Sequence, residues 1–224
     1  MSEYLPFILF GVVFVVVVAV VMMRSRAKSG ARMQRLMEMG FAPLPDEAPL
    51  LERVTKLENN SEYRYSVDIP MRAKRGYDEI FFYQKCRHRA GSIYAAEELL
   101  FPLSRPSNEG LMLFIKPSDL TAGTASRLIG AVATGAWDAQ PDDLAKLEIP
   151  AELEGSNLIG ALGPEGTTLH GLMDRATLDR MMQVGDFGVL IVLCRDEWCS
   201  LGSPQARMPL DIKQAWSFLG ELAR

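Results

Sequence analysis

Between Glu62 and Ile69 the chain reads Glu62-Tyr63-Arg64-Tyr65-Ser66-Val67-Asp68-Ile69, with apolar and polar side chains alternating at every position. A period of two places Tyr63, Tyr65, Val67 and Ile69 on one face, so the stretch reads as a half-buried strand that Pro70 is expected to end. A strand with one wet face belongs to an antiparallel sheet, because parallel sheets are covered on both sides. Residues 79–87, rich in Phe81, Phe82 and Tyr83, read as a second strand, and Ala90-Gly91 as the turn after it. Residues 92–100 contain helix-favouring Ala and Glu, but the short connection assigns them to a third meander strand. Residues 111–115 form a continuous apolar run before Pro117, as expected of a separate central strand.

Helical periods lie on both sides of this meander. In residues 29–39 Met33, Leu36 and Met37 share a stripe, and Gly40 stands where a left-handed cap is expected. A second helix follows Asp46, with Pro49 in its first turn, Leu50, Leu51, Val54 and Leu57 inward, and Asn59-Asn60 at its end. Further on, helices are expected at 124–134 and 174–184, and strands at 157–162 and 187–194. A closing helix begins near Pro209, with Ile212, Ala215, Trp216, Leu219 and Leu222 at helical spacing. Short turns between strands, with helices at both ends, predict an α+β domain with a mainly antiparallel sheet.

Working back to the N-terminus, the nineteen residues from Leu5 to Met23 carry no charge, and fourteen are Leu, Ile, Phe or Val. At ~1.5 Å per residue they span roughly 28 Å, close to the hydrocarbon thickness of a bilayer. The flanks decide the direction. Arg24, Arg26, Lys28, Arg32 and Arg35 follow the run, whereas Glu3 is the only charged side chain before it. The positive-inside rule then puts the N-terminus outside and the larger domain in the cytoplasm. A cleaved signal peptide is disfavoured, because the n-region has no basic residue and no A-x-A-like site follows. The expected organisation is a membrane anchor with a basic flank over 1–28, a helical linker region over 29–60, and an α+β domain over 61–224. A sub-domain boundary is possible in the Pro141-containing stretch 136–143.

The overall charge of −4 conceals an uneven distribution. After the anchor and its flank, 21 basic and 27 acidic side chains leave the remainder at −6. That balance, with no basic stripe interleaved with aromatics, excludes a typical nucleic-acid surface. The basic set Arg72, Lys74, Arg75, Lys85, Arg87, His88 and Arg89 reads mainly as solvated strand charge, with anionic lipid headgroups as the functional alternative.

Cys86, His88, Cys194 and Cys199 are the candidate metal-ligating residues. Cys86 and His88 lie two apart on one strand face, and Cys194 and Cys199 would meet across a tight hairpin, giving four tetrahedral donors. The spacing matches no standard zinc module. Arg87 and Arg195 beside the ligands would oppose a cation while lowering thiol pKa values. The three cysteines form no disulfide framework. Residues 160–168 lack the lysine and first glycine of a phosphate loop, so a glycine-rich turn is expected. No carboxylate pair or nucleophile constellation marks an enzyme, no cofactor is expected, and no motif is specific enough to assign a family. The sequence therefore favours a single-pass membrane protein whose α+β domain binds a protein partner, or itself, near the bilayer. A tethered metal-binding protein or enzyme, or a small-ligand sensor, is the alternative.

Overall fold

The structure, a computed structural model, describes residues 30–76, 78–117, 140–187, 191–203 and 210–222, without the side chains of 104–108, 187, 218 and 220–222. The span expected at 5–23, its flank Arg24, Arg26 and Lys28, and the helix expected at 124–134 lie outside these residues. Among the described residues no helix is long and apolar enough to cross a membrane. The described residues fall into two compact units, divided between Ala42 and Pro43.

In the first unit, helix α1 (30–38) ends as the glycine predicts. Gly40 takes φ +91°, and Phe41 N–H reaches back to the Leu36 carbonyl at 3.0 Å, closing the helix with a Schellman-type bond. Leu36 is buried, Met33 half-buried and Met37 exposed. The two-residue strand β1 (Ala42–Pro43) marks the junction between the units.

The second unit is α+β, with an antiparallel sheet. Helix α2 (Ala48–Glu58) is followed by β2 (Arg64–Arg75), β3 (Asp78–Arg89), β4 (Ser92–Ile115), β5 (Ala145–Lys146) and β6 (Leu158–Gly163). Short α3 (Leu169–Leu172), α4 (Arg175–Gln183), β7 (Ile191–Ser203) and α5 (Ile212–Leu222) complete it. Asp174, where the expected helix begins, is the N-cap of α4 and accepts from Thr177 N–H at 3.0 Å. The sheet order is β2-β3-β4-β6-β5, with β7 also paired to β4. β7 follows one edge of β4 from Glu97 to Phe114, while β3 and then β6 take turns on the other. The stretch expected as two strands, 92–100 and 111–115, is thus one long strand shared by both halves of the sheet.

Pro70 does not end β2. Ile69 takes φ +52°, and the register slips between Asp68 and Met71, so a bulge absorbs the proline and pairing resumes. The alternation restarts beyond it, with Met71 and Ala73 buried. The β3–β4 turn is the two-residue loop foreseen at Ala90-Gly91. Both residues have positive φ, the geometry that matches strand twist and that glycine adopts without strain. Phe187, expected to open a strand, belongs to a 3-10 turn over Val184–Phe187, and β7 continues past Cys194 to Ser203.

The core lies between α2 and the sheet. Leu50, Val54 and Leu57 pack with Val67, Phe81, Leu100, Met112, Phe114, Leu162 and Leu193. The helix assigned from sequence to the linker region is therefore part of the larger unit. α5 is tied to the sheet by Arg75, which donates to the Trp216 carbonyl and lies 5.4 Å over its ring. Gly185 allows another close approach, since a Cβ there would sit 2.5 Å from the Lys116 carbonyl oxygen and 3.0 Å from Ile115 Cγ2. Backbone has little room to yield, so Gly185→Ala is expected to cost about 1–3 kcal/mol in urea unfolding. A loss below a few tenths would contradict this packing.

Candidate functional site

Two polar features stand out against the apolar core. The first is a buried ion cluster. On β3 the inward positions Phe81, Tyr83, Lys85 and Arg87 change from apolar to basic, and Lys85 is 5 % and Arg87 7 % exposed. Lys85 Nζ pairs with Glu58, the last residue of α2, and with Glu98 of β4. The Tyr83 hydroxyl donates to Glu98 Oε2 at 2.8 Å. Gly202 of β7 makes room, because a Cβ there would lie 3.1 Å from Glu98 Oε1. Burial acts to lower the Lys85 pKa, but the Glu58 and Glu98 carboxylates outweigh it and hold the ammonium above its ordinary 10.5. Burial, then Glu98, pushes the Tyr83 phenol well above its usual range. A fully enclosed, charge-balanced cluster is suited to holding α2 on the sheet, not to meeting a substrate.

The second feature is an open groove of about 580 Å³ between α2 and β7. Pro49, Glu52, Arg53 and Lys56 supply one wall, at the i, i+3, i+4, i+7 spacing of one helix face. Arg195 to Trp198 supply the other, where Asp196 takes φ +53° at an irregularity in the β4–β7 register. The Arg53 guanidinium lies 4.5 Å from the Trp198 ring centroid and 5.3 Å from that of Phe81. Most other charges of the groove are engaged. Lys56 pairs with Asp196 at 3.0 Å, and Trp198 Nε1–H donates to Glu197 at 3.1 Å. Arg195 donates to both Asp143 oxygens at 2.5 and 2.7 Å and to the Leu57 carbonyl at 3.1 Å. Arg53 has no ion pair or hydrogen bond among the described residues.

Hydrogen bonds from Arg195 and the Asn59 side chain, against partial burial, bring the Asp143 carboxyl down to about 2 from 3.8. A depressed folded pKa contributes stability that is present above 3.8 and lost as pH falls through about 2. Asp143 is 45 % exposed, so solvent screening limits the contribution to below about 1 kcal/mol. Acid unfolding of Asp143→Asn should therefore lose a small stability increment at pH 7 that disappears near pH 2. An equal difference at both pH values would contradict the pairing.

The metal candidates fall into two separate pairs. Cys86 Sγ–H donates to Asp68 at 3.4 Å, and His88 Nε2 lies 2.9 Å from Ser66 Oγ on the same face of β3. Cys194 and Cys199 have sulfurs 2.6 Å apart, both buried and both on β7; they meet across the Asp196 irregularity of one strand, not across a hairpin. Cys86 faces Ala95 of β4 whereas Cys199 faces Phe101, six residues along, which is roughly 20 Å. Among the described residues no group of three or more His, Cys, Asp or Glu side chains is placed to hold a metal ion. Burial and then Asp68 raise the Cys86 thiol, and burial and then Cys194 raise that of Cys199, the direction opposite to the lowering expected from Arg87 and Arg195.

Of the basic flank, Arg32 is half-buried and Arg35 exposed on α1. The expectation of solvated strand charge fails for Lys85, which is buried against the Glu58 and Glu98 carboxylates, and for Arg87, which is buried beside the Tyr63 ring. In the glycine-rich stretch Glu165 is exposed, and Thr168 caps four-residue α3 by accepting from Gly171 N–H. Sequence reasoning missed Glu58, Glu98, Arg53 and Trp198. Glu58 and Lys85 carried a signal, since both are charges at positions whose periodicity points inward.

No family model matches the chain, and no curated protein matches it. Among solved structures it is similar to the crystal structure of the mycobacterial trehalose monomycolate transport factor A, TtfA. The TM-score is 0.41 at 9 % identity, over 79 % of this chain and 92 % of that one. That likeness is too low to carry a statement about function.

Proposed function

We propose that this chain is a single-pass membrane protein, anchored by residues 5–23, whose α+β domain is a protein-interaction module on the positive-inside face of the membrane. The observation that carries the interaction reading is the Arg53–Trp198 stack in the groove between α2 and β7. Trp and Arg dominate binding hot spots because they offer large contact area together with directed hydrogen bonding. The uncharged run and the basic residues after it support the anchor and its direction.

Two measurements on the full chain in membranes test this. It should stay in the pellet after an alkaline carbonate wash, and a C-terminal reporter should be active on the positive-inside face. Release by carbonate, or a reporter active only on the opposite face, overturns the topology. A photo-crosslinking side chain placed at Lys56, on the groove, should give a discrete adduct that the same group at exposed Glu165 does not. No adduct, or identical patterns at the two positions, overturns the interaction reading.

A further inference from the structure

We propose that the groove between α2 and β7 recognises a carboxylate side chain, Asp or Glu, in an extended segment of a partner protein, with Arg53 as the residue that binds it. The inference rests on the interaction reading and names the chemistry of that same site.

The argument begins with what each cation in the groove already does. Arg195 holds Asp143 with two parallel hydrogen bonds, and Lys56 is paired with Asp196. Arg53 is different. Its Cζ lies 4.5 Å from the Trp198 ring centroid and 5.3 Å from that of Phe81, contacts that engage its charge and leave its N–H donors unused. The two rings therefore hold the guanidinium in the groove without using its hydrogen bonds. Two N–H groups of the planar fork match the two oxygens of a carboxylate, and part of the side-chain entropy of ordering the arginine is already spent in the free protein.

Shape and charge narrow the ligand further. From Pro49 to Leu57 the α2 wall is eight residue steps, roughly 12 Å long, which matches three to four residues of extended peptide. Pro49, Leu57 and Trp198 give apolar surface beside the guanidinium, which suits an apolar residue next to the acidic one. Glu52, Asp196 and Glu197 also line the groove, and their charges would penalise a dianionic phosphate more than a single carboxylate. An acidic segment is therefore favoured over a phosphorylated one or an anionic lipid surface.

The test uses the full chain in detergent micelles as bait for a displayed library of random linear peptides. Selected peptides should share an Asp or Glu beside an apolar residue, and changing that residue to Asn or Gln should abolish binding. Arg53→Gln should weaken the selected peptides by about tenfold or more, and Arg53→Lys should restore only part of the loss, because it keeps the charge but not the fork. Thermal melts of both variants, within a few degrees of the parent, exclude unfolding as the cause; a melt that collapses moves the test to Trp198→Phe, which weakens the stack while retaining an aromatic ring. Selection of peptides without a carboxylate, affinities indifferent to Arg53, tighter binding of phosphopeptides or anionic vesicles than of acidic peptides, or no selection at all overturns the proposal. The Lys56 crosslink is read separately: an adduct there with carboxylate-free peptides would leave an interaction module of different chemistry, whereas loss of both would remove the interaction reading itself.

Discussion

Substituting Lys85 by methionine is expected to destabilise the domain by about 3–5 kcal/mol, read as a drop of roughly 6–20 °C in melting temperature. The size follows from what the substitution leaves behind. Lys85 is the common partner of Glu58 and Glu98, and all three are at most 5 % exposed. Methionine fills much of the volume, so the loss comes from two carboxylates stranded without their cation rather than from a cavity. The double variant Lys85→Met, Glu98→Gln should recover most of the stability, because the remaining Glu58 carboxylate is then balanced by buried Arg87. Such recovery separates electrostatic stranding from damaged packing, which would persist in the double variant. The intact cluster also has a defined pH window. A lysine whose folded pKa is raised contributes its stability in full below the usual 10.5 and loses it as pH rises through the elevated value. The wild-type advantage over Lys85→Met should therefore be flat across neutral pH and shrink only in strong alkali. A single variant within about 1 kcal/mol of wild type would mean that the cluster is hydrated and not enclosed.

The strand periodicities were legible because they are local. The alternation at Tyr63, Tyr65 and Val67 and the aromatic run at Phe81 to Tyr83 each report one element and its buried face. What the sequence did not reveal depends on long-range geometry. β4 passes through Pro102 without ending, because β7 pairs along one edge while β3 and β6 divide the other. β2 similarly survives Pro70 because a bulge places the missing donor outside the ladder. The ion cluster was half legible. Glu58 lies four residues after buried Val54, and Lys85 two after buried Tyr83, so both break an apolar stripe. Read singly, each looked like solvated charge; only the folded chain brings them within reach of each other. Arg53 and Trp198, 145 positions apart in the chain, had no shared local signal at all.

The long shared strand makes a second large prediction, in which burial and not residue type sets the cost along one element. Phe114→Ala is expected to lose about 3–5 kcal/mol, whereas Ile93→Ala on the same strand should lose about 0.5 kcal/mol or less. Phe114 is 1 % exposed and belongs to the core beneath α2, with Gly160 of β6 opposite on one side and Ile191 of β7 on the other. The ring is packed among Leu50, Val54, Phe81, Met112 and Leu193 of the core cluster, so its removal opens a cavity that an alanine cannot fill. Ile93, beside the β3–β4 turn, is 66 % exposed and has little apolar contact to lose. Urea unfolding of the full chain in one detergent decides the matter. The two variants should differ in midpoint but share the wild-type slope, since neither changes how much surface the folded domain buries. Equal costs would mean that the second half of β4 is not packed between β6 and β7. A reduced slope for Phe114→Ala alone would instead show the two halves of the sheet unfolding separately, with the β4–β7 ribbon failing to couple them.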